Sequence, residues 1–311
     1  MTKFLDPIER LGRLTLPEGV LSMVLDTDTY NEVDDQFALM YALASPERLR
    51  VEAVYAAPYF NTRSTGPADG MEKSYREILR LLDVVRNDPQ KPHAFDMPVL
   101  RGSPRYLPDE ETPVISDAAS DLIARASARP EGDPLFVVAI GAITNVASAI
   151  LLRPDIVRHI VVVWLGGHSL YWQDTREFNL QQDVPAARVL FDSGVPLIQI
   201  PAFNVTSHML TSVYELEACL GGKNALCDAL IELFRSYHGD HFAWNKEIWD
   251  IAAIAFMLHP EWVPTVLAHS PVLTDQLTWS QDARRHLIRT ATAVNRNAIF
   301  KDMMTKLATF Y

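Results

Sequence analysis

Five acidic residues crowd ten positions from Asp26 to Asp35 in Val24-Leu25-Asp26-Thr27-Asp28-Thr29-Tyr30-Asn31-Glu32-Val33-Asp34-Asp35. Carboxylates so close repel one another, and a hard cation such as Ca²⁺ or Mg²⁺, which takes oxygen ligands, turns that repulsion into attraction. The plainer reading is a solvated loop in which Asp34 and Asp35 complement the N-terminus of a following helix. Farther along, Trp249-Asp250 leads an apolar helical pattern, where an acid usually acts as a cap. Between these segments lie Ile140-Gly141-Ala142-Ile143-Thr144-Asn145, with small residues that let the backbone approach a ligand, and Gly166-Gly167 followed by Glu177-Phe178-Asn179. Each piece is weak by itself.

The elements that must position these residues alternate. Runs rich in β-branched residues at 20–26, 51–57, 135–140, 159–165 and 196–201 punctuate helical patterns at 34–44, 71–85, 118–128, 145–152 and 184–192. That alternation predicts an α/β fold with an open, mostly parallel, Rossmann-like sheet and helices on both faces. The acidic stretch then falls at the carboxyl end of the first strand, where such sheets bind ligands. Residues 160–165 are apolar at successive positions, so both faces of that strand should be buried. From 211 to 259 the pattern turns helical, with breaks at Gly221-Gly222 and Gly239. A hairpin-like region follows, with strands expected at 271–280 and 286–295 and a closing helix at 298–311. One domain over 1–311 with a helical C-terminal insertion is the simplest account.

Composition narrows the function. The 311 residues are 48% apolar and carry a formal charge of −11, which argues against binding to nucleic-acid polymers or anionic membranes. A small-molecule substrate fits better. Cys219 and Cys227 have neither zinc nor CxxC spacing, and 1–20 lacks the apolar core of a signal peptide, so a cytoplasmic protein is expected.

Taken together and in order, Asp26-Thr27-Asp28, Asp34-Asp35, Gly141-Ala142-Ile143-Thr144-Asn145, Gly166-Gly167, Glu177-Phe178-Asn179 and Asp250 resemble the nucleoside hydrolase family. That family cleaves the N-glycosidic bond of ribonucleosides with a tightly held Ca²⁺. The resemblance covers about residues 20–260 and implies the nucleoside hydrolase fold. It also implies Ca²⁺ ligation by Asp28, Asp35, Asp250 and the carbonyl of Ile140, Asp34 as general base, and Asp26 as a residue orienting the loop. Asn61 would lie near ribose and base, Glu177 and Asn179 would hold the 5′- and 3′-hydroxyls, and a homodimer or homotetramer is expected. The sequence departs from the family in two places. Residues 29–33 are longer than the usual Pro-Gly-x, so Asn31 or Glu32 is expected to enter the site. The family's ribose-contacting Asn has no clear equivalent among Tyr171, Trp172, Gln173 and Asp174.

Trp249 stands where the family's purine-preferring members carry Trp and its pyrimidine-accepting members carry His. An indole stacks on a purine but donates no titratable proton, so a purine preference is expected, with Tyr106 or Trp244 as a second aromatic. His238 and His241, with Tyr237 and Trp244, are expected on a substrate-facing helix. Lys73 and Arg76 read as solvated i,i+4 pairs. Two other functions compete. Asp26-Thr27-Asp28-Thr29 also resembles the Asp-x-Asp-x-Thr of haloacid dehalogenase-like phosphatases, with Asp26 as nucleophile and Asp28 as acid. A noncatalytic Ca²⁺-dependent nucleoside or sugar binder on the same scaffold is the other.

Overall fold

The computed structural model describes residues 5–88, 93–130 and 132–310. In chain order the elements are α1 (Pro7–Arg13), β1 (Leu21–Thr27), α2 (Asp35–Leu43), β2 (Leu49–Ala56), α3 (Pro67–Arg86), β3 (Val99–Arg101), α4 (Asp117–Ser127), β4 (Leu135–Ala139), α5 (Thr144–Leu152), β5 (Ile160–Leu165), α6 (Phe178–Gln182), α7 (Val184–Asp192) and β6 (Leu197–Ile200). The second half adds β7 (Leu210–Thr211), α8 (Val213–Leu220), α9 (Ala225–Tyr237), β8 (Lys246–Glu247), α10 (Ile251–Leu258), β9 (Thr265–His269), β10 (Val272–Leu273), β11 (Trp279–Ser280), β12 (Leu287–Ala291) and α11 (Arg296–Ala308).

The main sheet runs β3-β2-β1-β4-β5-β6-β12-β9. All pairings in it are parallel except β12 with β9. Strand alternation divides the interior into two cores. Leu25 and Val163 face Phe37, Leu39 and Ile254 on one side, while Val24, Val137 and Trp164 face Val146 and Phe191 on the other. Every residue of β4 and β5 is buried, as their unbroken apolar runs require. The chain order reverses between β1 and β4, the point in a doubly wound sheet where the connections leave a crevice beyond the strands' carboxyl ends.

The strands and helices expected before residue 201 are all present, although α3 begins at Pro67 rather than 71, with proline suited to a first helical turn. Lys73 pairs with Asp69 at 2.8 Å and Arg76 with Glu72 at 3.1 Å, as their spacing predicts. The C-terminal region corrects the expected hairpin. There β10 and β11 form a small antiparallel pair. β12 instead enters the main sheet between β6 and β9. Sequence reading missed β9 because it is an edge strand whose Val266 and Leu267 are 49% and 46% exposed, so it shows no burial pattern. Tyr311, the expected end of the closing helix, lies outside the described residues.

Candidate active site

The carboxyl ends of β1, β4, β5 and β6 and the starts of α2 and α10 converge on one pocket. Its lining includes Asp28, Asp34, Asp35, Ile140 and Asp250. Asp34 and Asp250 occupy the N-cap positions of α2 and α10, yet neither side chain caps its helix. Their carboxylates turn instead toward each other and Asp35, with one oxygen from each of the three within 4.8 Å of the others. Capping alone therefore does not account for either acid. Asp28 lies beside them with both carboxylate oxygens buried and unpartnered among the described residues. Asp35 accepts a 2.5 Å hydrogen bond from Thr27 Oγ1. Gly141 lies close against the site, for a Cβ there would approach Asp28 Cγ to 3.0 Å, tighter than ordinary van der Waals contact.

Burial is the main reason these groups hold their protons unusually tightly. It pushes Asp35 up to about 8, with the Asp34 charge adding to the effect, and Asp34 to about 6, with Glu32 adding and Lys246 opposing. Asp28 and Asp250 are raised well above the usual carboxylate range by burial and by their acidic neighbours. An all-oxygen cluster of this kind suits a hard cation, whose charge would reverse these shifts. The buried, unpartnered oxygens of Asp28 fit that use. Ile140 lines the same pocket, and its carbonyl accepts a 3.1 Å bond from Asn179 Nδ2.

Asp26 is placed differently. It is fully buried outside the pocket lining, and its Oδ1 accepts a 2.7 Å bond from Asn145 Nδ2. Asn145 Oδ1 in turn accepts from the Ser103 backbone at 2.7 Å, so Asp26 braces the strand ends. A nucleophile must reach substrate, so this geometry gives no support to the phosphatase alternative.

The long turn enters the site as expected, for both Asn31 and Glu32 line the pocket. Asn61 Nδ2 donates to Asn31 Oδ1 at 2.6 Å, and Arg63 Nη1 donates to the Glu32 carbonyl at 3.1 Å. Lys246, with a side chain only 12% exposed, forms an ion pair with Glu32. Asn61 itself is not part of the lining, and in this structure it holds the turn that is.

At the other wall, Glu177 caps α6 and accepts from Gly167 N at 2.8 Å, Asn179 N at 2.9 Å and Leu180 N at 2.9 Å. Burial outweighs these bonds and raises its pKa to about 7. Asn179 Nδ2 ties the ends of β4 and β5 through the carbonyls of Ile140 and Leu165. Both residues line the pocket. Trp249 does too, and it meets Phe203 with ring centroids 6.4 Å apart.

His241 is a correction. It lies outside the lining, where Nε2 is 3.1 Å from the Arg235 carbonyl and the ring meets Trp244 edge-on. The reason is that α9 ends at Tyr237, so His238, His241 and Trp244 cluster around the following turn rather than along a helix face. Trp244 and Tyr106 are likewise not the aromatic partners of Trp249. Phe203 takes that place, and sequence reading missed it together with His168 and Arg176. Two of these had a signal: Phe203 follows β6 and His168 follows β5 at the carboxyl ends where ligands bind.

A doubly wound α/β sheet with an acidic, cation-suited pocket beyond its switch point defines a class of enzyme that can activate water against a small substrate. Residues 23–301 match the family described as inosine-uridine preferring nucleoside hydrolase, and the chain belongs to that family. It is accordingly an N-glycosyl hydrolase of ribonucleosides. Among curated relatives, the pyrimidine-specific ribonucleoside hydrolase RihA of Salmonella typhimurium is 28% identical over 276 residues, 79% of this chain and 82% of the relative. The protein of that name from Klebsiella pneumoniae is 29% identical over 270 residues, with the same coverage. Among solved structures, the purine-preferring ribonucleoside hydrolase from Gardnerella vaginalis has a TM-score of 0.70 at 21% identity, covering 93% of this chain and 98% of that one. An inosine-guanosine nucleoside hydrolase has a TM-score of 0.72 at 18% identity, covering 92% and 98%. At these identities the structural likeness shows the shared fold.

Proposed function

We propose that this chain hydrolyses ribonucleosides in a Ca²⁺-dependent reaction, preferring purines, with Asp34 as general base. The observation that carries the reading is the pair of buried, unpartnered Asp28 oxygens beside the clustered carboxylates of Asp34, Asp35 and Asp250. Asp28, Asp35, Asp250 and the Ile140 carbonyl would hold Ca²⁺, leaving Asp34 for proton transfer. When bound, the cation would make a neighbouring water easier to deprotonate and would attract the ribose diol.

Asp34 takes the proton of the attacking water, for which a base poised near neutrality is suited. Lys246 favours its ionised form. The surrounding carboxylates favour the positive charge that develops on the sugar as the C1′–N bond lengthens. Glu177 and Asn179 bound the end of the pocket assigned to the 5′- and 3′-hydroxyls. Asn61 acts through Asn31. Trp249 and Phe203 offer faces to the departing base.

The relatives at 28–29% identity are named as pyrimidine-specific, so the purine preference rests on Trp249 in the pocket wall. The reading includes a single domain over 1–311 and a cytoplasmic homodimer or homotetramer, which light scattering on the purified protein tests for its assembly. For the activity, inosine, adenosine, uridine and cytidine are assayed with and without chelator, alongside elemental analysis. Turnover of purine ribosides that stops on Ca²⁺ removal and returns on its addition is the expected result. Binding without turnover would favour the noncatalytic alternative, and full activity in chelator would refute the metal assignment.

A further inference from the structure

The pocket is rich in acceptors and poor in donors. Asp28, Glu32, Asp34, Asp35, Glu177 and Asp250 all line it. An ionised carboxylate offers only acceptor sites, which suits a cation and sugar hydroxyls. A departing nucleobase makes the opposite demand, because its ring nitrogens and carbonyl oxygens gain negative charge as the glycosidic bond breaks. Besides the indole N–H of Trp249, whose ring is the stacking face, the lining side-chain donors are engaged: Asn179 Nδ2 bonds two carbonyls and Arg176 Nη2 donates to the Gln276 carbonyl at 3.0 Å. Asn31 belongs to the acidic turn.

His168 is held differently. Its backbone N–H donates to Thr175 Oγ1 at 3.0 Å, and its carbonyl accepts from Trp279 Nε1 at 3.0 Å and Gln199 Nε2 at 3.3 Å. The imidazole stacks on Phe203, with centroids 4.4 Å apart and planes 18° from parallel. Its Nδ1 accepts the Phe203 backbone N–H at 3.3 Å. A neutral imidazole that accepts at Nδ1 carries its proton on Nε2. Burial favours this neutral form. Nε2 makes no hydrogen bond to any described residue and is not among the sealed, unpartnered atoms. The residue lines the pocket on the aromatic side, where Phe203 meets Trp249.

Resting on the nucleoside hydrolase reading, we propose that His168 is a leaving-group residue of this enzyme, its Nε2–H donating a hydrogen bond to an acceptor atom of the departing base. The proton stays on Nε2. The electron pair of the broken C1′–N bond goes to the base, the water oxygen bonds C1′, and the proton that completes the free base comes from that water by way of Asp34 and solvent. The fixed backbone, the stacked ring and the occupied Nδ1 preorganise the donor, so its value grows as charge develops in the transition state.

The test compares inosine with p-nitrophenyl riboside, whose leaving group is a stable anion that departs without such help. His168→Phe keeps a flat ring against Phe203 and removes the donor. His168→Asn keeps polarity but ends short, near the position of Nδ1. His168→Gln places an amide N–H close to the position of Nε2. Loss of one hydrogen bond to a charged group predicts that kcat/KM for inosine falls about 10- to 100-fold in the Phe and Asn variants. For p-nitrophenyl riboside it should change less than about threefold, and His168→Gln should recover most of the inosine activity. The Asn variant carries the comparison if the Phe variant does not fold. Equal losses on both substrates, or none on either, overturn the assignment. A wild-type enzyme inactive on both substrates overturns the functional reading and this inference with it, whereas an active wild type with an unchanged substrate ratio in the variants overturns the inference alone.

Discussion

Replacing Asp35 by asparagine should stabilise the metal-free protein at alkaline pH while abolishing stabilisation by metal. Asp35 is held up at about 8 by burial and then by Asp34. A carboxyl group whose folded pKa lies above its unfolded value of 3.8 contributes stability that is fully present below about pH 4 and is lost as pH rises through about 8. The chelated wild type should therefore lose stability across that window, as Asp28, Asp34 and Asp250 lose their protons in the same cluster. The substituted carboxamide carries no charge, its oxygen can keep the bond from Thr27 Oγ1, and its amide can donate to the unpartnered oxygens of Asp28. Removing one mutual repulsion of this kind is worth about 1–3 kcal/mol, or roughly 2–6 °C in Tm for a chain of this size. Thermal unfolding followed by circular dichroism between pH 5 and pH 9 in chelator should then show Asp35→Asn close to wild type at pH 5 and above it at pH 8. In Ca²⁺ at about 100 times Kd, wild type should gain about 2.7 kcal/mol and the variant little. If Asp35→Asn in chelator is destabilised equally at both pH values, or still gains the full metal shift, the electrostatic account of the cluster is wrong.

Asp34→Asn should retain metal and fold while losing about 10²–10⁴-fold in kcat, the range for removal of a general base; near-native turnover at saturating Ca²⁺ would remove Asp34 from that role. In Trp249→Ala the ratio of kcat/KM for inosine over uridine should collapse, because stacking contributes about 1–3 kcal/mol per base, and an unchanged ratio would locate base choice elsewhere. Lys246→Met leaves Glu32 unneutralised beside Asp34. Since Lys246 lowers the Asp34 pKa and the base must be ionised to act, the acid limb of the kcat–pH profile should move to higher pH, an expectation that an unmoved limb contradicts.

Much of this protein was legible in its residues because the relevant physics is local. Alternating apolar strands and helices placed β1, β2, β4, β5, β6, α2, α3, α4, α5 and α7 within a few residues, while the short β3 and α6 carry too few periodic positions to be read; the apolar runs of β4 and β5 suit a strand covered on both faces. The crowded acids of 26–35 pointed to a cation because carboxylates so close need a compensating charge, whereas Asp250 and the lengthened turn joined them only through the resemblance to the nucleoside hydrolase family. Other features depended on distant partners. Asp26 and Asp28 are two positions apart and chemically identical, yet Asp26 lies within β1 and bonds Asn145 in the interior, whereas Asp28 follows the strand's last residue and is unpartnered beside the acids. β12 has the same sequence whether it closes a hairpin or joins a sheet, and its pairing with β6 and β9 is fixed by long-range backbone bonds. Phe203 meets Trp249 and His168 only because the ends of β5 and β6 and the start of α10 lie side by side. His241 leaves the pocket because α9 stops at Tyr237. The sequence by itself determined which groups are of a type to do chemistry and which strands most of them follow, because residue type and periodicity are local properties. Only the tertiary structure decided which of those groups share a pocket, because that depends on strand order and side-chain direction among residues far apart in the chain.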